Sequence, residues 1–283
     1  MVIIYYLFVC KKIGCEIMKV CLLTSGSIGN TVVIEHEEES ILIDCGVSYK
    51  KFNELISQTN LNMSKIKHLL VTHEHSDHIK GVGVVSRKLD LRVWSTERTA
   101  DVIYNKGILK ESDPRVNYVE KYEEYEISGF KITPFPLSHD AIDPVGYVVE
   151  RGGKKVVCIT DTGYVSNKVM EIVEGANLYI MELNHDVEML LSCYKRPWSL
   201  RQRILSDYGH LSNEDGAYVF SEMMSNDTKH VFLSHISQEA NHPDLARMTM
   251  KEVLRERQID TTRLKIHMTY PMKPSSVVDL EVG

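Results

Sequence analysis

Short apolar runs rich in Val, Ile and Leu punctuate the chain, and between them lie longer stretches whose apolar positions recur every three to four residues. The first pattern fits strands buried on one or both faces, the second amphipathic helices. It predicts strands at 19–24, 31–36, 40–44, 66–72, 92–95, 129–135, 146–150, 154–160, 177–182, 229–234 and 263–269. Helices are predicted at 49–58, 79–89, 97–106, 166–174, 199–206, 213–225 and 243–257. Gly129 and the Gly152-Gly153 pair sit between neighbouring strand segments, where tight antiparallel connections need them. No repeat or low-complexity tract interrupts the alternation, so the class is α/β, with antiparallel hairpins mixed among helices. Two sheets covered by outer helices satisfy this pattern, and so does a single mixed sheet.

Met18-Lys19-Val20-Cys21-Leu22-Leu23 reads as the opening strand, so a single domain is expected over 18–283, with 1–17 as an N-terminal extension. The apolar run Val2–Val9 lacks a preceding basic stretch and a small-residue cleavage site, and is too short to span a bilayer. No membrane association is expected.

Composition changes this picture little. With 283 residues, 43% hydrophobic and 25% charged, the chain can bury a sizeable core. Its net charge of −6 gives no global attraction for polyanions, so contact with a nucleic acid requires a local basic patch. Cys10, Cys15, Cys21, Cys45, Cys158 and Cys193 show no C-x-x-C spacing; neither a zinc ribbon nor a disulfide framework follows, and a reducing cytoplasm is the expected location.

Chemistry concentrates at Leu69-Leu70-Val71-Thr72-His73-Glu74-His75-Ser76-Asp77-His78, where an apolar strand runs into three histidines and an aspartate. From extended backbone His73 and His75 point the same way, while Asp77 and His78 fall where the next helix begins, so one loop can serve two adjacent cations. A histidine-rich surface loop is the bland alternative. The helical H-E-x-x-H protease motif is not matched, because position 77 is Asp.

Thr72-His73-Glu74-His75-Ser76-Asp77-His78 resembles the signature of the metallo-β-lactamase superfamily. That resemblance implies an αββα sandwich of two mixed sheets flanked by helices, with Asp44, His139, Asp161 and His235 at successive strand ends. It implies His73, His75 and His139 around one divalent ion, Asp77, His78 and His235 around a second, and Asp161 bridging, with Zn²⁺ or Mn²⁺ fitting these donors. Asp44 is expected to orient the histidine loop. Taken alone, His139 or His235 would be an ordinary polar residue at a strand end. His75 stands where the di-iron branch carries a carboxylate, which favours hydrolysis: two ions activate a water and neutralise charge on the reacting oxygens, with Asp77 relaying a proton.

Gly209-His210-Leu211-Ser212-Asn213 is similar to a C-terminal pattern of the superfamily's nucleases, ribonuclease Z among them, and implies that His210 acts on the scissile phosphate. Ser212 or Asn213 also suits a helix cap. Ser25, Ser27 and Asn30 in a glycine-serine loop can present donors to an anion, although a hairpin turn explains that loop as well. Lys195, Arg196, Arg201 and Arg203 surround Trp198, as phosphate contact and base stacking require, or as a solvated helix face would.

Together with Glu182-Leu183-Asn184-His185-Asp186, these segments resemble the YycJ/WalJ-type metallo-hydrolases, which implies a 5′-to-3′ DNA exonuclease engaged in DNA repair. Leu183 departs from the small polar residue expected there. Glu182 and His185 are expected to support the metal site and Asn184 to meet substrate. The span from Asp161 to His235 is too short for a large inserted nuclease domain. A small-substrate hydrolase (a small-nucleotide phosphodiesterase, thioesterase or lactonase) is the competing enzyme class, and a metal-binding interaction protein the non-enzymatic one.

Overall fold

The structure, a computed structural model, describes residues 16–282. Fourteen strands form two seven-stranded sheets. In the first, β14 (Val278–Val282), β1 (Glu16–Thr24), β2 (Thr31–His36) and β3 (Glu39–Ile43) pair antiparallel. The sheet then continues in parallel through β4 (Ile66–Leu70), β5 (Arg92–Ser95) and β6 (Val116–Tyr118). In the second, β7 (Tyr125–Ile127), β8 (Phe130–Pro136), β9 (Val145–Arg151) and β10 (Lys154–Ile159) are antiparallel. The parallel strands β11 (Leu178–Glu182), β12 (His230–Ser234) and β13 (Lys265–Met268) complete it.

Alternation along these strands decides between the two architectures left open by the sequence. Val156 and Cys158 of β10 join a core with Val20, Ile34 and Ile41 of the first sheet, whereas Val157 and Ile159 join a different core with the helical residues Phe220, Met250 and Leu254. A third core puts Leu42, Leu69 and Val93 against Phe52, Val82 and Ile103. Each sheet is therefore covered on both faces, which is why its strands read as continuous apolar runs. The result is the expected sandwich.

The helices are α1 (Tyr49–Ile56), α2 (Ser76–Ile79), α3 (Val82–Leu89), α4 (Glu97–Asn105), α5 (Asn167–Val173), α6 (Val187–Ser192), α7 (Trp198–Ile204), α8 (Asn213–Met223) and α9 (Pro243–Glu256). One helix was expected over 79–89; two occur, and Gly81 lies at the break. Its N–H donates to the Cys45 carbonyl at 2.7 Å, and a β-carbon there would stand 2.1 Å from the Val47 carbonyl oxygen. Strands β6 and β7 went unread because three residues carry too little pattern, and both are half-exposed.

Glu16 and Ile17 pair with Val282 and Glu281, so β1 reaches two residues into the segment read as an extension. The rest of that reading lies outside the described residues. Among the described residues no helix is long and apolar enough to cross a membrane, and Cys21, Cys45, Cys158 and Cys193 are free.

Candidate metal centre and active site

Three site residues end their strands in a conformation that L-residues avoid. Asp44 follows β3 with φ 58°, Asp161 follows β10 with φ 58°, and His235 follows β12 with φ 54°. Such backbone costs on the order of 1–3 kcal/mol and persists only where surroundings hold it. Here they do: Asp44 N–H donates to the Leu70 carbonyl at 2.8 Å, and His235 N–H donates to Ser25 Oγ at 2.8 Å.

Side chains from both sheets meet at this edge. His75 Nδ1 lies 3.1 Å from His73 Nε2 and 3.2 Å from His139 Nε2. Beside this triad, Asp77 Oδ2 stands 3.6 Å from His78 Nε2 and 3.8 Å from His235 Nε2. Asp161 lies between them, its carboxylate grouped with His73 of the first triad and His78 of the second, with Oδ2 3.3 Å from His78 Nε2 and Oδ1 3.4 Å from His235 Nε2. Within each triad, His73-His75-His139 and Asp77-His78-His235, the donor atoms all fall within 4.8 Å of one another.

The opposite ring nitrogens fix the tautomers. His78 Nδ1–H donates to Asp44 Oδ2 at 2.7 Å, His139 Nδ1–H to the Gly209 carbonyl at 3.1 Å, and His235 Nδ1–H to Glu182 Oε1 at 2.9 Å. Thr72 Oγ1 donates to Asp44 Oδ2 at 2.7 Å and accepts from His73 Nδ1 at 3.0 Å. Each Nε2 lone pair is thereby turned into the cluster, the orientation a metal ligand needs. Asp161 Oδ2 and His235 Nε2 are buried with no hydrogen-bond partner. Buried polar atoms are ordinarily satisfied, so these orphans, in a set of imidazoles and carboxylates, fit divalent ions.

Electrostatics agree. Burial opposes charge on His235, but Asp161, Asp77 and Glu182 outweigh it and raise its pKa to about 10. Burial likewise opposes ionisation of Glu182, yet the charges and hydrogen bonds of His210 and His235 hold its carboxyl at about 2. A field that favours a proton on a buried imidazole also favours a metal cation in its place.

His210 sits beside the triads, its ring 5.1 Å from those of both His139 and His235. Its Nδ1–H donates to Glu182 Oε1 at 2.8 Å, the same oxygen that holds His235, while Glu182 Oε2 accepts from Thr162 N–H at 2.9 Å. Ser212 caps α8, accepting from Asp215 N–H at 3.0 Å, and so fixes the segment that carries His210.

The residues read as substrate contacts divide. Ser25 and Asn184 are spent on His235: Asn184 Nδ2 donates to its carbonyl at 2.8 Å. Asn30 Nδ2 donates to Asp77 Oδ2 at 3.2 Å, and its Oδ1 accepts from Gly26 N–H at 2.8 Å. These three side chains brace the site, whereas Ser27 is exposed at the loop tip. His185 joins neither triad; it is buried with both ring nitrogens unpartnered, and burial lowers its pKa to about 4. The basic stretch is partly neutralised, since Arg196 pairs with Glu239 at 2.9 Å and Arg203 pairs with Asp140. Lys195 and Trp198 are exposed, and the Arg201 guanidinium lies 5.1 Å from the Trp198 ring centre.

Sequence reasoning passed over Thr72, although it lies inside the quoted motif, and Gly46, three residues from the Leu42-Ile43 strand end. A β-carbon at Gly46 would stand 1.7 Å from the Asp77 carbonyl oxygen. Gly46→Ala is expected to destabilise the fold by about 3 kcal/mol, read from the urea midpoint, because the backbone that presents Asp77 must move.

Comparison with known proteins agrees with this geometry. Residues 39–236 match the β-lactamase superfamily domain. The chain belongs to that superfamily. It is 39% identical over 261 residues to exodeoxyribonuclease YycJ of Bacillus anthracis, covering 90% of this chain and 97% of that one. It is 40% identical over 255 residues to exodeoxyribonuclease WalJ of Streptococcus pneumoniae, covering 89% and 94%. Among solved structures, the metallo-β-lactamase fold protein YhfI of Bacillus subtilis superimposes with a TM-score of 0.70 at 15% identity, covering 94% of this chain and all of that one. The chain is thus a YycJ/WalJ-type member of the superfamily.

Proposed function

We propose that this chain is a metal-dependent exodeoxyribonuclease that removes nucleotides from the 5′ end of DNA, working in DNA repair with two Zn²⁺ or Mn²⁺ ions. The observation that carries this reading is the Glu182–His210 pair, set beside two triads between which Asp161 groups with His73 of one and His78 of the other. The exodeoxyribonuclease relatives at about 40% identity supply the substrate class.

His73, His75 and His139 would hold one ion and Asp77, His78 and His235 the other, with Asp161 reaching both; bound there, they supply an activated water and positive charge for the phosphoryl oxygens. The protein's own groups do the rest. With Nδ1–H committed to an ionised Glu182, His210 keeps Nε2 for the substrate, where its protonated form donates to a phosphoryl oxygen or to the departing alkoxide. Asp77 directs Oδ2 at Asn30 and His78, leaving Oδ1 to accept the proton of the attacking water. Asp44, Thr72, Asn184 and Glu182 keep the imidazoles in register, so little reorganisation accompanies reaction.

End-labelled DNA tests the reading. Protein stripped of metal and reloaded with Mn²⁺ or Zn²⁺ is expected to release labelled mononucleotide at once from a 5′-labelled strand and only late from a 3′-labelled one, with none released in chelator. Intact DNA alongside hydrolysis of a small diester or thioester would move the function to the small-substrate branch.

A further inference from the structure

Asn213 and Asn241 are buried, and neither belongs to the histidine triads. Asn213 Nδ2 donates to Asn241 Oδ1 at 2.9 Å, and Asn241 Nδ2 donates back to Asn213 Oδ1 at 2.8 Å, which closes an amide pair. Ser212 caps α8, so the Asn213 amide is left to this pair. Asn241 Nδ2 also donates to the Leu183 and Asn184 carbonyls, each at 3.0 Å, while its Oδ1 accepts from His242 N–H at 2.8 Å. Carbonyls only accept and an N–H only donates, so one orientation of each amide satisfies the set.

The pair lies where three chain segments meet. One leaves β11 and runs from Glu182 to His185, a second carries His210 into α8, and a third runs from His235 to the start of α9. Backbone bonds join them: Asn184 N–H donates to the Leu211 carbonyl at 3.0 Å, Asn213 N–H to that of His185 at 2.8 Å, and Ser237 N–H to that of Asn184 at 2.8 Å. Their approach is close, since a β-carbon at Gly216, in the first turn of α8, would stand 2.4 Å from the Glu182 carbonyl oxygen. Each segment also delivers one partner of a shared contact. Glu182 Oε1 comes from the first, His210 Nδ1 from the second and His235 Nδ1 from the third, at 2.8 and 2.9 Å from that oxygen.

We propose that Asn213 and Asn241 are positioning residues for the reaction: their amide pair sets the spacing of the His210 and His235 segments, so that both rings reach Glu182 Oε1 and His210 Nε2 is held where the substrate meets it. This rests on the reading of His210 as the group that acts on the phosphate. Hydrogen bonds weaken steeply with distance and misalignment, so one oxygen serves two donors only while both segments keep their places. A buried amide pair is costly to leave unmade and therefore resists such displacement. Asn241 reaches His235 by a second route, through Asn184, whose Nδ2 donates to the His235 carbonyl.

The test is a kinetic cycle with His210→Ala in the metal-loaded enzyme on DNA, with bound ions counted and thermal melts recorded for each variant. Asn213→Ala is expected to lower kcat about ten- to a hundredfold with little change in KM and both ions retained. In the His210→Ala background the same substitution is expected to cost about twofold at most, because the ring it positions is gone. Asn241→Ala also releases Asn184 and is expected to weaken metal affinity about tenfold besides. Asn213→Asp keeps the shape and the acceptor but loses the donor; its kcat is expected to fall between wild type and Asn213→Ala, and it carries the cycle if the alanine variant does not fold. An undiminished loss when His210 is already absent, a loss that only tracks the unfolded fraction, or unchanged kcat in the folded variants would overturn the positioning role. Wild-type protein that hydrolyses no DNA, or His210→Ala with full turnover, would instead defeat the reading on which it rests.

Discussion

Asp161→Ala is expected to lower turnover on DNA about ten-thousandfold and to strip bound metal from both triads, several kcal/mol of transition-state stabilisation being lost with the ions. Asp161 groups with His73 of one triad and His78 of the other, and its Oδ2 and Oδ1 lie 3.3 and 3.4 Å from the Nε2 atoms of His78 and His235. The residue is also held in the left-handed region, where alanine is strained, so metal analysis should accompany thermal melts. Asp161→Asn keeps the shape and removes the charge, and a similar loss from that variant assigns the effect to the carboxylate. A variant that keeps both ions and full turnover would remove Asp161 from the centre.

His210→Ala should separate chemistry from metal binding. The ring lies outside the two triads, with Nδ1 held by Glu182 at 2.8 Å and 3.8 Å from Asp161 Oδ1, so turnover is expected to fall about a hundred- to ten-thousandfold with both ions retained. Glu182→Gln should behave differently. Its Oε1 accepts from both His210 and His235 and its Oε2 from Thr162 N–H, and an uncharged amide with a single acceptor oxygen cannot serve all three, which is expected to weaken metal affinity about ten- to a hundredfold while also lowering turnover. Loss of metal in His210→Ala would recast that histidine as a ligand.

Much of this was legible in the sequence because strand ends carry the chemistry. Each site residue follows an apolar run that could be read as a strand, and the order Asp44, His73, His139, Asp161, His235 is kept by the strands of two sheets. What stayed hidden depends on backbone meeting backbone. Whether Ser25, Asn30 and Asn184 face a ligand or brace the site cannot be told from residue type, since an amide donates equally well to a phosphate and to Asp77. Gly46 is demanded by a carbonyl from the neighbouring loop, a contact that no periodicity records. Likewise the positive charges of the 195–203 stretch were visible, but Glu239 and Asp140, which pair with Arg196 and Arg203, are distant in sequence.

The most direct test of a two-ion nuclease is a titration of Mn²⁺ into metal-free protein, following bound ions and nucleotide release from 5′-labelled single-stranded DNA in the same samples. Release is expected to be absent without metal and to appear fully only as a second equivalent binds. Nucleotide release from the metal-free protein, or full activity at one bound ion, would contradict the account.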